Sequence, residues 1–311
     1  MKKYTTIYDL DNIPETIQEA IQLKENPFST QLLGRNKTLV MLFFNASLRT
    51  RLSTEKAAKN LGMDVMILNV NDAWNLEFEE GSVMNLNSSE HIKEAAQVIS
   101  QYGDIIAIRA FPTLEDKEKD TSEWILNSFV KYATVPIVNM ESATMHPLQA
   151  LADAITITEL QTKQKSKVVL SWAPHPKALP QAVANSFVGM MQELDVDFSI
   201  AHPKGYELNP ELTLDIPIHY NQEEALKDAD FVYVKNWSSY ESYGKVLHED
   251  TNWMLTKEKL KEAKFMHCLP VRRNVVVEDA VLDSENSVVI QQSYNRVYSA
   301  QIVLKKILEN L

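Results

Sequence analysis

The stretch Leu39-Val40-Met41-Leu42-Phe43-Phe44-Asn45-Ala46-Ser47-Leu48-Arg49-Thr50-Arg51 decides the fold. Its first half, Leu39–Asn45, is a near-continuous apolar run of strand length. Such a run lacks the alternation of a half-exposed strand and fits a parallel strand covered on both faces. Ser47 then supplies an N-cap hydroxyl, a helix begins near it, and helical periodicity continues through Thr54–Leu61. Strand, short loop and helix in that order open a βα unit.

The same alternation runs along the chain. Further strands are expected at Asp64–Asn69, Ile105–Phe111 and Pro136–Met140. A second set follows at Lys167–Trp172, Asp197–Ala201, Phe231–Lys235, Phe265–Leu269 and Ser287–Gln291. His91–Tyr102 and Asp120–Tyr132 carry helical spacing between them. The fold class is therefore α/β, with two doubly wound parallel-sheet domains. Leu148–Leu160 has no Pro or Gly and reads as a helix bridging the halves. In the tail Tyr294–Leu311, Val297, Ala300, Val303, Leu304 and Ile307 fall on one helical face, which must pack on something, in this reading the first domain. The expected division is residues 1–147, residues 148–291, and a terminal helix over 292–311. Asn71–Ser89 and Tyr240–Thr251 read as long loops, which in compact domains are often functional.

Composition narrows the function classes. With 311 residues, 45% of them hydrophobic, the chain has room for a large core in two domains. A formal net charge of −11 argues against nucleic acid or an anionic membrane surface as partner. An anionic ligand would need positive charge gathered at one place. The one cysteine, Cys268, excludes an intrachain disulfide, and no apolar run has membrane-span length, so a cytoplasmic protein is expected. Seven glycines and no G-x-G-x-x-G or G-x-x-x-x-G-K pattern remove the dinucleotide and P-loop readings. No Cys/His cluster suggests a metal, and no cofactor is called for.

Four segments carry chemistry. At Ser47–Arg51 the helix N-terminus offers unpaired N–H groups, Ser47 and Thr50 add hydroxyls, and Arg49 adds a fork-shaped cation. This is a phosphate cradle without glycine, or else an ordinary capped helix with two solvated arginines. Arg109 stands at the C-terminal end of a strand, the edge where open parallel sheets bind ligands; alone it would read as a surface arginine. His146 and Gln149, in Met140-Glu141-Ser142-Ala143-Thr144-Met145-His146-Pro147-Leu148-Gln149, lie one helical turn apart after a strand. Both are able to donate to a carbonyl oxygen, although a lone histidine is more often structural. In His267-Cys268-Leu269-Pro270, Leu269 precedes proline and is expected to be extended, with its carbonyl outside the sheet ladder. The alternative there is a buried cysteine before a turn. Arg296 would return a cation to the same place.

Together these segments resemble the aspartate/ornithine carbamoyltransferase family over nearly the whole chain. Ser47-Leu48-Arg49-Thr50-Arg51 matches its Ser-x-Arg-Thr-Arg signature, His146-Pro147-Leu148-Gln149 its His-Pro-x-Gln, and residues 267–270 the His-Cys-Leu-Pro of the ornithine branch. The Ser-Met-Gly loop that grips the free α-amino group of ornithine is absent; Lys235-Asn236-Trp237 stands there instead. With Asp72-Ala73-Trp74 in the first loop, the chain is similar to the N-acylornithine carbamoyltransferases, acetyl and succinyl types. A lysine is able to hold an α-carboxylate and would repel a free α-ammonium, which acylation removes.

The resemblance implies carbamoyl transfer from carbamoyl phosphate to the δ-amine of an N-acylornithine, giving N-acylcitrulline and phosphate in arginine biosynthesis. It implies a homotrimer with sites at subunit interfaces, and a knotted loop in the second domain that general topology rules would not give. The phosphate would meet Ser47, Leu48, Arg49, Thr50, Arg296 and Trp74 of a neighbouring subunit. Thr50, Arg109 and His146 would donate to the carbamoyl oxygen. Gln149 and the Leu269 carbonyl would hold the carbamoyl NH₂, and Cys268 would orient the amine. Glu90, Glu141, His175, Lys235, Leu269 and Arg273 are the candidates for the acylated amino acid. The background of the chain is closer to the succinyl type, and Val275-Val276-Val277 stands where the acetyl type carries a lysine. Glu90 pulls the other way, because it would repel a succinyl carboxylate; the alternative is a surface acid beside a helix N-terminus. Two rival readings remain: ordinary ornithine transcarbamoylation, and a sensor that binds without turnover.

Overall fold

The computed structural model describes every residue except 71–74, 248 and 249. Trp74, expected at the phosphate, lies outside the described residues. The chain divides into two compact units, Met1–Leu148 with Arg296–Leu311, and Gln149–Asn295.

In the first unit, strands β1 (Lys3–Tyr4), β2 (Thr38–Phe43), β3 (Asp64–Asn69), β6 (Ile105–Arg109) and β7 (Ile137–Glu141) form a parallel sheet in the order β1-β7-β6-β2-β3. A parallel pair, β4 (Leu76–Glu77) and β5 (Glu90–His91), stands apart. Helix Ile92–Tyr102 shows why the sheet is covered. Its buried residues Ile92, Ala95, Ala96 and Ile99 recur at i, i+3, i+4 and i+7. Ile92, Ala96 and Ile99 share a core with Val40, Leu42, Ile106, Ile108 and Phe129. The C-terminal segment belongs to this unit, with Val297, Ala300, Val303, Leu304 and Ile307 buried as their spacing requires. Gln301 fixes it, donating to the Pro27 carbonyl at 2.7 Å and accepting from Asn60 at 2.9 Å.

In the second unit, β8 (Lys167–Ala173), β9 (Asp197–Ala201), β10 (Ile218–His219), β11 (Phe231–Asn236) and β12 (Lys264–Met266) form a parallel sheet in the order β10-β9-β8-β11-β12. The fold class is therefore α/β with two parallel sheets. The chain passes between units inside helices Pro147–Leu160 and Val289–Leu308. No helix among the described residues is long and apolar enough to cross a membrane.

Four local expectations fail, each for a physical reason. Ser287–Gln291 is not a strand: Ser287 makes one isolated bridge to Phe265, and Val289 already begins the last helix. A short β-branched run fits either element, and here the helix wins because its apolar face continues through Ile307. That places Arg296 well inside the helix. Asp120–Tyr132 is two helices, Lys117–Thr121 and Trp124–Tyr132, broken at Glu123, whose φ is 53°. Leu269 is not extended but left-handed at φ 55°, its N–H held by His267 Nδ1 at 2.8 Å. Strand β12 stops at Met266, so Cys268 follows the strand rather than ending it.

Candidate active site

The first unit gathers its cationic and donor groups at the C-terminal edge of its sheet. Strand β2 ends at Phe43 and helix Leu48–Asn60 begins after Ser47, whose hydroxyl accepts from the Thr50 N–H at 3.3 Å. This is the N-cap geometry the sequence asked for, and it leaves the other first-turn amides pointing out of the helix start. A cavity of about 380 Å³ lies there, lined by Phe43, Asn45, Ser47, Leu48, Arg51 and Asn69 among others.

Arg109 enters from β6 next door. A register shift between Ile108 and Arg109 sets Arg109 opposite Glu141 rather than Met140. An irregularity of this kind at a strand end re-aims the side chain. Nη1 of Arg109 donates to the carbonyls of Asn45 at 3.0 Å and Ala46 at 2.9 Å, and Nη2 donates to Glu141 Oε2 at 3.1 Å. The guanidinium also lies 4.1 Å from the Phe111 ring centre. Burial draws the Arg109 guanidinium down from its ordinary value; the carboxylate of Glu141 opposes that, and Arg49 adds to it. His146 Nε2 stands 3.5 Å from the same Glu141 oxygen. Arg296 Nη2 donates to Thr50 Oγ1 at 2.6 Å, with both residues buried. Ser47, Arg49, Thr50, Arg109, His146 and Arg296 thus belong to one cluster of the first unit. Glu141, expected at the acylated amino acid, is the carboxylate that pairs with Arg109 and approaches His146.

Glu123 is the residue the sequence did not reveal here. Its carboxylate accepts from Ser142 Oγ at 2.7 Å, from the Ala143 N–H at 3.2 Å and from the Thr144 N–H at 2.7 Å. It thereby fixes the turn that delivers His146, and its left-handed backbone explains the broken helix. No motif signals such a role.

Glu90 is half-buried in β5, opposite Leu76 of β4. The loop joining these strands is tied by Glu77, which accepts from the Glu79 N–H at 3.0 Å, the Phe78 N–H at 2.9 Å and Ser88 Oγ at 3.3 Å. Those bonds, that of Glu79 foremost, hold the Glu77 carboxyl below its usual range. Val83 and Leu86 on the loop are 79% and 89% exposed, unusual for large apolar side chains.

The second unit holds the other candidates. Lys235, buried at the end of β11, donates to Cys268 Sγ at 3.4 Å. A cavity of about 560 Å³ is lined by Pro174, His175, Trp237, Leu247, Thr251 and Arg272 among others. Arg272 Nε donates to His175 Nε2 at 3.2 Å, and His175 Nδ1 donates to the Lys177 carbonyl at 2.7 Å. Arg273 is exposed and committed elsewhere, to Asp279 at 2.9 Å and Asp283 at 2.6 Å. Both arginines are exposed, but it is Arg272 rather than the expected Arg273 that lines the cavity, and adjacent arginines in a loop give no signal for which one faces it.

Burial, and then the charges of Arg272, Lys235 and Lys177, lower the His175 pKa, against the pull of the Lys177 carbonyl. The fold therefore favours the neutral ring. The His175–Arg272 contact is present above the ordinary imidazole value and is lost as pH falls through the depressed one. In an NMR titration the His175 ring, assigned with a His175→Gln variant, is expected to titrate below about 6.5. Titration above that value would contradict the arrangement.

Two family models match the chain. The aspartate/ornithine carbamoyltransferase carbamoyl-P binding domain covers residues 2–159, and the Asp/Orn binding domain of the same family covers residues 180–307. The chain belongs to the aspartate/ornithine carbamoyltransferase family. It is 48% identical to the N-succinylornithine carbamoyltransferase of Bacteroides thetaiotaomicron, over 100% of both chains. It is 34% identical to the N-acetylornithine carbamoyltransferase of Xanthomonas axonopodis pv. citri, over 93% of this chain and 90% of that one. Among solved structures it is similar to a glutamate-to-alanine variant of N-acetyl-L-ornithine transcarbamylase complexed with carbamyl phosphate and N-succinyl-L-norvaline. That likeness has a TM-score of 0.92 and 32% identity, covering 99% of this chain and 100% of the other. Within the family, the Ser47–Arg51 cradle falls in the carbamoyl-P binding region and the Lys235–Cys268 pair in the Asp/Orn binding region.

Proposed function

We propose that the chain transfers the carbamoyl group of carbamoyl phosphate to the δ-amine of an N-acyl-L-ornithine, giving N-acyl-L-citrulline and phosphate as a step of arginine biosynthesis. The observation that carries this reading is the cluster of Arg109, His146, Thr50 and Arg296 beside the amides of a helix N-terminus, in an otherwise acidic chain. A doubly charged phosphate fits the helix start, Arg49 and Arg296. Thr50, accepting from Arg296, retains its own hydrogen to donate. Arg109, Thr50 and His146 are then the donors for the carbamoyl oxygen, which gains negative charge as the amine attacks. Gln149 and the Leu269 carbonyl hold the carbamoyl NH₂.

The amine must attack unprotonated, and desolvation lowers its pKa from the lysine-like ~10.4. Cys268 orients it, with no covalent intermediate, and the departing phosphate takes the proton. Lys235 holds the α-carboxylate, and the His175–Arg272 wall is the remaining polar part of the amino-acid pocket. Glu90 selects the acetyl group, although overall similarity to a succinyl-type relative favours the opposite preference. No metal or organic cofactor takes part.

Exposed Val83 and Leu86 on the Gly81–Ser89 loop support a homotrimer in which this loop meets a second copy. Working with reduced Cys268, the enzyme belongs in the cytoplasm.

Incubation with carbamoyl phosphate and, separately, ornithine, N-acetylornithine, N-succinylornithine and aspartate tests the reading by assay of ureido product. The expected product comes from an N-acylornithine, acetyl before succinyl, and absence of product with every amine would overturn it. Arg49→Ala is expected to lower kcat/KM for carbamoyl phosphate by about 10–10²-fold, the loss of a charge-assisted bond. Unchanged turnover would remove Arg49 from the phosphate site.

A further inference from the structure

One buried carboxylate takes no part in the chemistry above. Asp153 is fully buried on helix Pro147–Leu160, one turn after Gln149. Its Oδ1 accepts from Gln149 Nε2 at 2.7 Å and from Gln292 Nε2 at 2.7 Å. The other end of the Gln292 amide accepts from the His267 N–H at 2.9 Å. His267 Nδ1 in turn accepts from the Leu269 N–H at 2.8 Å. Gln149, Asp153, Gln292 and His267 are all essentially inaccessible to water.

The direction of this chain of bonds follows from its start. Both glutamine amides turn their NH₂ groups toward Asp153, whose Oδ1 accepts from each. Gln292 therefore presents an oxygen to the backbone of residue 267, which is the bond observed. Gln149 is held with its Oε1 directed away from Asp153, as an acceptor. His267 accepts at Nδ1, so its neutral ring carries the proton on Nε2. A buried Asp153 also sits near Tyr233: burial, then Asp153, then Cys268 hold that phenol well above its usual value.

We propose that Asp153 is a positioning residue that makes Gln149 an acceptor for the carbamoyl NH₂ and, through Gln292 and His267, anchors the Leu269 turn that supplies the second acceptor. This rests on the carbamoyl-transfer reading and goes beyond it by naming what distinguishes a carbamoyl from an acetyl group. The two differ by NH₂ against CH₃, and a site that offers two fixed acceptors rejects the methyl because those acceptors are left unpaired.

The test compares wild type with Asp153→Asn and Gln292→Met, both close in size to the residue replaced. In Asp153→Asn the amide at 153 offers a donor, so Gln149 is free to reverse. The KM for carbamoyl phosphate is expected to rise about tenfold or more, the cost of a mismatched buried hydrogen bond. The KM for the acylornithine and the calorimetric Kd for inorganic phosphate stay within about twofold of wild type, which a general loss of structure would not allow. Acetyl phosphate, as a competitive inhibitor, gains relative to carbamoyl phosphate, so discrimination between them shrinks. Gln292→Met is expected to show the same split in weaker form, and it decides the matter should Asp153→Asn not fold. Retained discrimination, or a parallel loss of phosphate and carbamoyl phosphate binding, would overturn the proposal. Failure of carbamoyl transfer itself is read from wild type, separately from the variants.

Discussion

Replacing Arg109 with methionine is expected to lower kcat by about 10²–10³, the typical cost of one donor to a developing oxyanion. The same change is expected to destabilise the fold by about 3–5 kcal/mol, because Glu141 is left as a buried carboxylate without its guanidinium. The two losses have different origins and separate experimentally. Arg109 reaches Glu141 at 3.1 Å, and the two side chains are only 8% and 11% exposed. A second change, Glu141→Gln, removes the orphaned charge. The double variant is expected to regain most of the stability in urea denaturation while kcat remains low. If turnover returned together with stability, Arg109 would be a structural partner of Glu141 and not a donor to substrate.

Glu90→Ala is expected to reverse the acyl preference. Two like charges at ~4 Å in an effective dielectric of about 20 repel by about 4 kcal/mol. Glu90 is half-buried, so solvent screens part of this, and a change in the succinyl-to-acetyl ratio of kcat/KM of about 10²-fold is the reasonable expectation. Parallel assays of wild type and variant on N-acetylornithine and N-succinylornithine measure the ratio. An unchanged ratio would return Glu90 to the role of a surface acid on a tied loop.

The inner parallel strands were legible because they are buried on both faces and therefore largely apolar. Asp64–Asn69 and Asp197–Ala201 have the bounds their sequence suggests. Ser47 was legible as a cap because a hydroxyl before a periodic run has few other uses. The misreadings share one cause, which is that distant groups decide them. Glu123 breaks a helix because the turn at 142–144 claims its carboxylate. Val289 and Ile290 have strand chemistry but join a helix whose later residues fill the first unit's core. Leu269 bends because His267 takes its N–H. The cluster around Arg109 was visible as residue types at strand ends, whereas the pairing of Arg109 with Glu141 depends on a register shift that no spacing rule gives. Arg272 against Arg273, and the service of Asp153 to Gln149, depend on side-chain direction, which a sequence does not carry.

A crystal structure with a bisubstrate analogue, a phosphonoacetyl group joined to the δ-nitrogen of N-acetylornithine, tests the central electrostatic claim most directly. The phosphonate is expected on the amides of residues 47–50 with Arg49 and Arg296 around it, the analogue's carbonyl oxygen within hydrogen-bond distance of Arg109 and His146, and the α-carboxylate at Lys235. A phosphonate bound away from the helix that begins at Leu48, with Arg109 still locked between Glu141 and the carbonyls of Asn45 and Ala46, would contradict it.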